Sequence, residues 1–394
     1  MSPFSRADNS IMARWWWTVD RWMLGTLLVL CVVGVLIVFA ASPAVAEKIG
    51  APTFHFFRKQ VVFAFLGMAT MFAFSFATPR TVWRFAIIAY PCVLVAIACC
   101  LVFAPVYNGS QRWLQFPGFT IQPSEFVKPC FAVVTAWLLA SQQGGTVLHA
   151  GPKEPQNRTG IALMTATALL IITCAMLVKQ PDFGQTALIL GVWVLQLFLA
   201  GYPLYWFAVL SVLASAGAVA AFIHFDHVRG RILQFWDREN HESGQMDVAT
   251  EGFRNGGLFG RGPNEGVAKL KLPEAQGDYI FAVLGEEFGA AACIILASVF
   301  AIILIRGFLR LLKETDLFVF LATAGLLASF GAQAVINMSV NLDMMPSKGM
   351  TLPFISYGGS SLLALSLSMG MVLALTRQNR YLLQSPRGYH GGSS

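Results

Sequence analysis

Long apolar stretches separated by polar connections fill most of the chain. Ten of them approach the roughly 20-residue length that an α-helix needs to cross the apolar core of a bilayer. Their approximate limits are Trp22–Ala41, Phe57–Ala77, Val82–Phe103, Ser124–Ala140, Gly160–Val178, Phe183–Ala200, Leu204–Phe225, Tyr279–Ile305, Leu317–Val340 and Gly358–Thr376. The pattern predicts an all-α integral membrane protein with about ten transmembrane helices. An even number of crossings places both termini on one side.

The charged residues predict which side that is. If both termini are cytoplasmic, the inner segments hold 13 Lys and Arg against 5 Asp and Glu, and the other 15 acidic residues lie outside. Short cytoplasmic connections characteristically carry such an excess of basic residues. We therefore predict one polytopic membrane domain over 1–394, with a cytoplasmic N-terminal segment (1–21), a large periplasmic loop between helices 7 and 8 (226–278) and a cytoplasmic tail (377–394).

Composition supports this class of protein. The 394 residues are 56% hydrophobic and 12% charged, with a mean hydropathy of +0.63, far from the balance of soluble domains. The net charge of +7 comes from scattered Lys and Arg without a continuous basic run, which argues against nucleic-acid binding. The seven cysteines lie in or beside apolar stretches without metal-type spacing, and we expect them to pack as small hydrophobes.

One glycine-rich segment, Gly260–Gly289, places a carboxylate where water meets lipid. Asp278 ends its polar part, and the apolar run of the eighth predicted span begins at the next residue. An Asp at this position commonly caps a helix N-terminus, which stabilises it by about 0.5–2 kcal/mol. It is equally placed for chemistry at the membrane surface. The residues alone leave both interpretations open.

Other polar side chains also gather on the predicted outer half. Glu125 and Lys128 are three residues apart and share a helix face, either as a structural ion pair or as part of a site. Gln333, Asn337 and Asn341 recur every four residues, which forms a stripe that joins helices by hydrogen bonds or lines a substrate path. Glu286 and Glu287 would lie roughly 12 Å below the outer end of a continuous helix, so at least one needs a partner or a water-filled cavity.

Four motifs, taken together, resemble those of the SEDS family of bacterial morphogenesis proteins, and they follow in the family's order over nearly the whole chain. They are NGSQRWL with QPSEFVK (108–128), KQPDFGQTALI (179–189), GRGPNEG with LPEAQGDYIFAVLGEEFG (260–289) and PSKGMTLPFISYGGSS (346–361). The Trp-rich start, WWWTVDRW, is similar to the septal branch more than to the elongation branch. Gln276-Gly277 stand where the family often has His-Thr, so no imidazole adjoins the acid.

The resemblance implies polymerisation of lipid II, an undecaprenyl-pyrophosphate-linked disaccharide-pentapeptide, into peptidoglycan strands during division. It implies that Asp278 is catalytic and that Glu125 and Lys128 are the family's charged pair. It also implies a class B penicillin-binding protein transpeptidase and other divisome proteins as partners. The expected location is the bacterial inner membrane at the division septum.

This chemistry suits the residues, because pyrophosphate leaves without being protonated, so one base together with cations is sufficient. Asp278 is the candidate base, and a divalent cation (Mg²⁺ or Mn²⁺) could share the cationic role, with no organic cofactor expected. The metal ligands are not identifiable from spacing. The candidate substrate-binding residues are Arg112, Glu125, Lys128, Arg261, Lys269, Lys271 and Lys348.

Three alternatives remain open at this point. A lipid II flippase or transporter would explain intramembrane acids such as Glu286 and Glu287. An elongation polymerase would share all four motifs. A scaffold that only recruits a transpeptidase would need none of the polar residues named above.

Overall fold

A computed structural model describes residues 10–106, 110–116, 119–142, 159–203, 205–224, 229–230, 233, 245–272, 274–346 and 349–377. The regular secondary structure of the described part is helical apart from one short hairpin. The elements in chain order are α1 (Ile11–Thr18), α2 (Arg21–Lys48), α3 (His55–Ser75), α4 (Pro79–Phe103), β1 (Leu114–Phe116), β2 (Phe119–Ile121), α5 (Pro123–Gln142), α6 (Thr159–Lys179), α7 (Phe183–Leu199), α8 (Tyr205–His224), α9 (Gln245–Gly256), α10 (Ala268–Lys271), α11 (Ile280–Leu311), α12 (Leu317–Asn341) and α13 (Gly359–Leu375).

The prediction of an all-α membrane protein is confirmed, and each of the ten predicted spans overlaps one helix: α2 to α8 and α11 to α13. Among the described residues, six helices are long and apolar enough to cross a membrane: α2, α3, α4, α6, α11 and α12. Helices α7 and α13 are apolar but shorter. The number of crossings and the side of each terminus stay predictions.

Helices α5, α12 and α13 lie at the centre of the helical assembly. Helix α13 is buried along almost its whole length, and most of α12 is buried. Helices α4 and α6 instead expose most of their apolar residues, as expected for lipid-facing helices. Polar side chains on the central helices are therefore enclosed by protein.

The hairpin β1–β2 is a small departure from the all-α prediction. Its strands are antiparallel, with Gln115 opposite Thr120. The Ser360 hydroxyl accepts from the backbone amide of Gln122 at 2.9 Å and lies 3.4 Å from the carbonyl oxygen of Thr120. These contacts fix the hairpin against the start of α13.

Helix α11 is not the continuous span that the hydropathy predicts. Gly289 has φ +80° and ψ 176°, which breaks the helix after Phe288. The loop that follows α9 supplies the missing backbone partners: Ala290 N donates to Gly257 O at 2.9 Å and Arg261 N donates to Glu286 O at 3.0 Å. Ile280 to Phe288 thus forms a short helical segment clamped by the loop. The prediction of one uninterrupted helix over Tyr279–Ile305 was wrong. Hydropathy did not reveal the break, because the apolar run continues through it.

The clamped segment also accounts for the two buried acids. Glu287 accepts from Lys269 Nζ at 2.6 Å, and both side chains are buried. Glu286 accepts from the backbone amide of Ala268 at 2.8 Å. The expectation that at least one of these acids needs a partner is confirmed.

Candidate active site

A cavity of about 910 Å³ opens at the end of the assembly where the motif residues converge. Its walls come from the facing ends of α2 and α3, the hairpin, the start of α5, the segment before α11, α12 and the segment before α13. Residues that line it include Lys59, Arg112, Glu125, Asp278, Asn337, Thr351 and Tyr357. By the predicted topology, this end faces the periplasm.

Asp278 lines the cavity, and hydrogen bonds hold the main chain at Asp278 and at the preceding residue. Its carbonyl oxygen accepts from Asn337 Nδ2 at 2.9 Å and from Asn341 Nδ2 at 2.8 Å. The hydroxyl of Ser356 donates to the carbonyl of Gly277 at 2.7 Å. The carboxylate of Asp278 is half-buried and lies near Gly349. A Cβ added to Gly349 would be 3.7 Å from Asp278 Oδ2.

The helix-cap interpretation of Asp278 was wrong. The N-cap of α11 is Tyr279, and its side chain makes no capping hydrogen bond. Asp278 lies one residue earlier and lines the cavity. Its position is explained by the cavity rather than by capping.

The polar stripe on α12 joins that helix to two loops. Asn341 bridges Asp278 and α11, because its Oδ1 also accepts from Ala282 N at 3.0 Å. Asn337 donates to Met350 O at 2.6 Å as well as to Asp278 O, and it lines the cavity. The hydrogen-bonding interpretation of the stripe is confirmed.

Glu125 and Lys128 form the predicted pair, buried beside the cavity. Their charged atoms are 2.7 Å apart, and Lys128 Nζ also donates to Gln333 Oε1 at 2.7 Å. Gln185 Nε2 donates to the other oxygen of Glu125. Gln333 in turn donates to the carbonyl of Thr351 at 3.0 Å. Glu125 lines the cavity directly, and Lys128, which lies behind it, is linked to the cavity residue Thr351 through Gln333 of α12.

Arg112 lines the cavity while it binds the outer turn between α6 and α7. Its Nε donates to Gln180 O at 3.0 Å, another nitrogen donates to Pro181 O, and its guanidinium is 3.8 Å from Asp182. Burial raises the pKa of the Asp182 carboxyl, and the Arg112 charge opposes that rise only in part. Arg112 thus joins the hairpin region to this turn and presents its remaining surface to the cavity.

Three other candidate cations do not line this cavity. Lys269 is buried in its ion pair with Glu287 and also donates to Asn264 Oδ1 at 2.6 Å. Lys271 is exposed and lies 3.3 Å from Glu251, and Arg261 is an exposed residue of the loop clamp. These residues precede Asp278 in sequence, but Lys269 and Lys271 lie on α10 and Arg261 lies in the loop bound to α11, and none of the three lines the cavity. Lys348 lies outside the described residues.

Sequence reasoning missed Lys59, a half-buried cation of α3 that lines the cavity. In the part of the chain that the structure describes, its ammonium makes no hydrogen bond or ion pair. Nearby, Tyr357 packs edge-on against Phe56 with ring centroids 5.1 Å apart, and burial raises the pKa of its phenol above the ordinary value. Tyr357 is therefore a neutral group at neutral pH. The basic pair Arg58-Lys59 at the outer end of a predicted span was the available signal.

The described residues contain no group of three or more His, Cys, Asp or Glu side chains arranged to hold a metal ion. Mg²⁺ commonly uses only one or two protein carboxylates and takes its other ligands from substrate phosphates and water. The cavity acids Asp278 and Glu274 fit that limited role. The divalent cation stays a prediction.

Comparison with known proteins identifies the family of this chain. The model of the FtsW/RodA/SpoVE family, described as a cell cycle protein, matches residues 21–381. The chain belongs to the SEDS family. It is 40% identical over 376 residues to a protein of Caulobacter vibrioides named probable peptidoglycan glycosyltransferase FtsW, covering 95% of this chain and 93% of that protein. A Geobacter metallireducens protein of the same name is 34% identical over 367 residues, covering 90% and 94%.

Solved structures share the fold of this SEDS protein. A chain from a structure reported for a peptidoglycan synthase complex that coordinates polymerization and crosslinking has a TM-score of 0.72 and 24% identity, covering 91% of this chain and 97% of that one. The crystal structure of Thermus thermophilus rod shape determining protein RodA has a TM-score of 0.66 and 24% identity, covering 92% and 97%. The identification of a multi-pass SEDS membrane protein is thus confirmed.

Proposed function

We propose that this SEDS protein is a peptidoglycan glycosyltransferase that polymerises lipid II into glycan strands during cell division. The observation that carries the proposal is the arrangement at Asp278: a half-buried carboxylate on a main chain held by Asn337 and Asn341, in a cavity that also holds the cations Lys59 and Arg112. The names of the FtsW relatives support the activity and the division role.

The proposed reaction needs one proton acceptor. The 4-hydroxyl of the acceptor GlcNAc attacks the anomeric carbon of the donor MurNAc with inversion, and its proton passes to a carboxylate oxygen of Asp278. The new C–O bond forms as the bond from the anomeric carbon to the pyrophosphate oxygen breaks. The departing undecaprenyl pyrophosphate is a stable anion that needs cations rather than a proton.

Lys59 and Arg112 are the proposed partners of that anion. An Arg guanidinium suits phosphate oxygens, and Lys acts as a point charge. Arg112 is partly occupied by the α6–α7 turn, whereas the described residues leave the Lys59 ammonium available. A divalent cation would add charge compensation at the pyrophosphate when bound.

We further propose that the chain acts at the septum of the inner membrane with a class B penicillin-binding protein transpeptidase and other divisome proteins. Its own sequence has no SxxK motif followed by KTG, the signature of a penicillin-binding active site. Crosslinking then requires a second protein. The fold shared with a chain of a peptidoglycan synthase complex supports such a partnership.

The transporter alternative has less support. Glu286 and Glu287 are 0% and 1% exposed and are bound by α10. Acids enclosed in this way do not line an open path through the membrane. The polar side chains that do line a cavity converge at one end of the assembly.

The test is polymerisation of labelled lipid II by the purified full-length protein, with and without the class B partner. We expect wild type to form glycan polymer and Asp278→Asn to lose about 10²- to 10⁴-fold in activity, the typical contribution of one general base. Glu251→Gln, an exposed carboxylate outside the cavity, is the matched control and retains activity. Polymerisation by Asp278→Asn at the wild-type rate would refute the base assignment.

A further inference from the structure

The far end of α11 carries a second cluster of charged side chains, remote from Asp278 in the chain. Arg306, Arg310 and Lys313 follow one another at spacings of four and three residues, so they share one helix face. A shallow cavity of about 410 Å³ lies along this face. Its described lining is Ile302, Ile305, Arg306, Leu309, Arg310 and Lys313.

Asp20 organises this cluster from the start of α2. Its carboxylate accepts from Arg306 Nε at 2.8 Å and from Arg310 Nε at 2.6 Å, and it is fully buried. The same side chain caps α2 by accepting from the amides of Trp22 and Met23. One carboxylate therefore orients two guanidinium groups. Because Arg306, Arg310 and Lys313 are opposed by the single negative charge of Asp20, the cluster keeps an excess of two positive charges.

The orientation leaves donors available. In the described chain only Nε of Arg306 is engaged, and neither its terminal amino groups nor the ammonium of Lys313 donates to a protein acceptor. The Arg306 side chain is 38% exposed. A guanidinium fixed through Nε presents two amino groups, which match the oxygens of a phosphate.

An apolar surface continues from these donors along the same helix. Ile302, Ile305 and Leu309 are 55%, 59% and 57% exposed, as lipid-facing side chains are. The cations lie toward the predicted cytoplasmic end, where anionic headgroups attract basic residues. The usual excess of basic residues on the cytoplasmic side requires only that the residues be charged. This site has more than charge, because a buried acid positions its guanidinium groups beside an apolar surface suited to an acyl chain.

We propose that this face of α11, defined by Arg306, Arg310 and Lys313 above Ile305, is a binding site for an anionic phospholipid of the cytoplasmic leaflet. The phosphodiester accepts from Arg306 and Lys313, and an acyl chain lies along Ile302, Ile305 and Leu309. The bound lipid stabilises the contact between α2 and α11. This inference does not depend on the proposed glycosyltransferase activity.

Native mass spectrometry of the full-length protein in detergent tests the proposal. Phosphatidylglycerol and phosphatidylcholine with identical acyl chains are titrated separately. We expect wild type to retain phosphatidylglycerol preferentially, and the double variant R306Q/K313Q to bind it about tenfold more weakly, as the loss of charge-assisted hydrogen bonds predicts. The control R80Q removes an exposed basic residue at the start of α4 and keeps wild-type affinity.

The single variant K313Q keeps both ion pairs to Asp20, so it tests the site even if R306Q/K313Q does not fold; it should weaken binding by a few-fold. Equal retention of both lipids by wild type, unchanged affinity in a folded R306Q/K313Q protein, or an equal loss in R80Q would each overturn the proposal. Displacement of phosphatidylglycerol by millimolar inorganic phosphate would instead assign the site to a soluble anion and would also overturn it.

Discussion

Asn341 donates its side-chain amide to the main-chain carbonyl of Asp278 at 2.8 Å. The other atom of the same amide, Oδ1, accepts from Ala282 N at the start of α11. A single α12 residue thus sets the position of the candidate base relative to the helix that follows it. This relationship makes the geometry of Asp278 depend on a residue that touches neither substrate nor carboxylate.

We expect Asn341→Ala to reduce polymerisation by roughly tenfold or more, because small displacements of a reacting group reduce rates strongly. It removes one of the two acceptors of the Ala282 amide, which keeps Tyr279 O at 3.1 Å, so we expect a loss of about 0.5–1.5 kcal/mol for that hydrogen bond. The measurements are the polymerisation rate and the thermal unfolding midpoint. Thr165→Ala, which removes an exposed hydroxyl bound only to its own helix, is the control. An unchanged rate in Asn341→Ala would show that the clamp does not position Asp278.

Lys59→Gln tests the cation that α3 contributes to the cavity. Loss of a charge-assisted contact to pyrophosphate is worth about 1.5–3 kcal/mol, which corresponds to roughly a 10- to 100-fold fall in kcat/KM. Lys59→Arg should retain most of the activity, because it keeps the charge. The measurement is kcat/KM for lipid II at two salt concentrations.

Arg58→Gln is the matched control for Lys59. Arg58 is the preceding residue, carries the same charge and is exposed outside the cavity lining. A loss in Arg58→Gln equal to that in Lys59→Gln would mean that general surface charge, rather than a contact in the cavity, affects the reaction.

The sequence was sufficient for the parts of this protein that depend on local pattern. Apolar length predicted the helices, and Arg112, Glu125 and Asp278 do line one cavity. Lys59 was missed because only the packing of α3 against the segment before α13 brings it to the cavity. The break at Gly289 was missed because the residues on either side keep the apolar run, and the backbone partners come from a distant loop.

The break at Gly289 gives a stability prediction. Gly289→Ala puts a methyl group at φ +80°, where a Cβ would lie 2.4 Å from the carbonyl oxygen of Leu258. The backbone conformation alone costs about 1–3 kcal/mol, and the overlap forces the loop away from α11. We expect a lower unfolding midpoint and faster proteolysis after α9.

Gly25→Ala is the control for Gly289→Ala, because nothing lies within 4 Å of the Cβ that it adds on α2. It should leave the midpoint unchanged or slightly raised, since Ala favours helix over Gly. A Gly289→Ala protein as stable as wild type would mean that α11 can form without the break.

Glu125 and Lys128 allow the structural and functional interpretations of the pair to be separated. Glu125→Gln or Lys128→Met alone leaves one buried charge without its partner, which costs about 3–5 kcal/mol. The double variant Glu125→Gln/Lys128→Met removes both charges, so most of the stability should return. If the pair is only structural, polymerisation returns with stability; if it takes part in the site, the double variant is folded and inactive. Because Glu125 lines the cavity, we expect the second result, measured as polymerisation rate at matched unfolding midpoints.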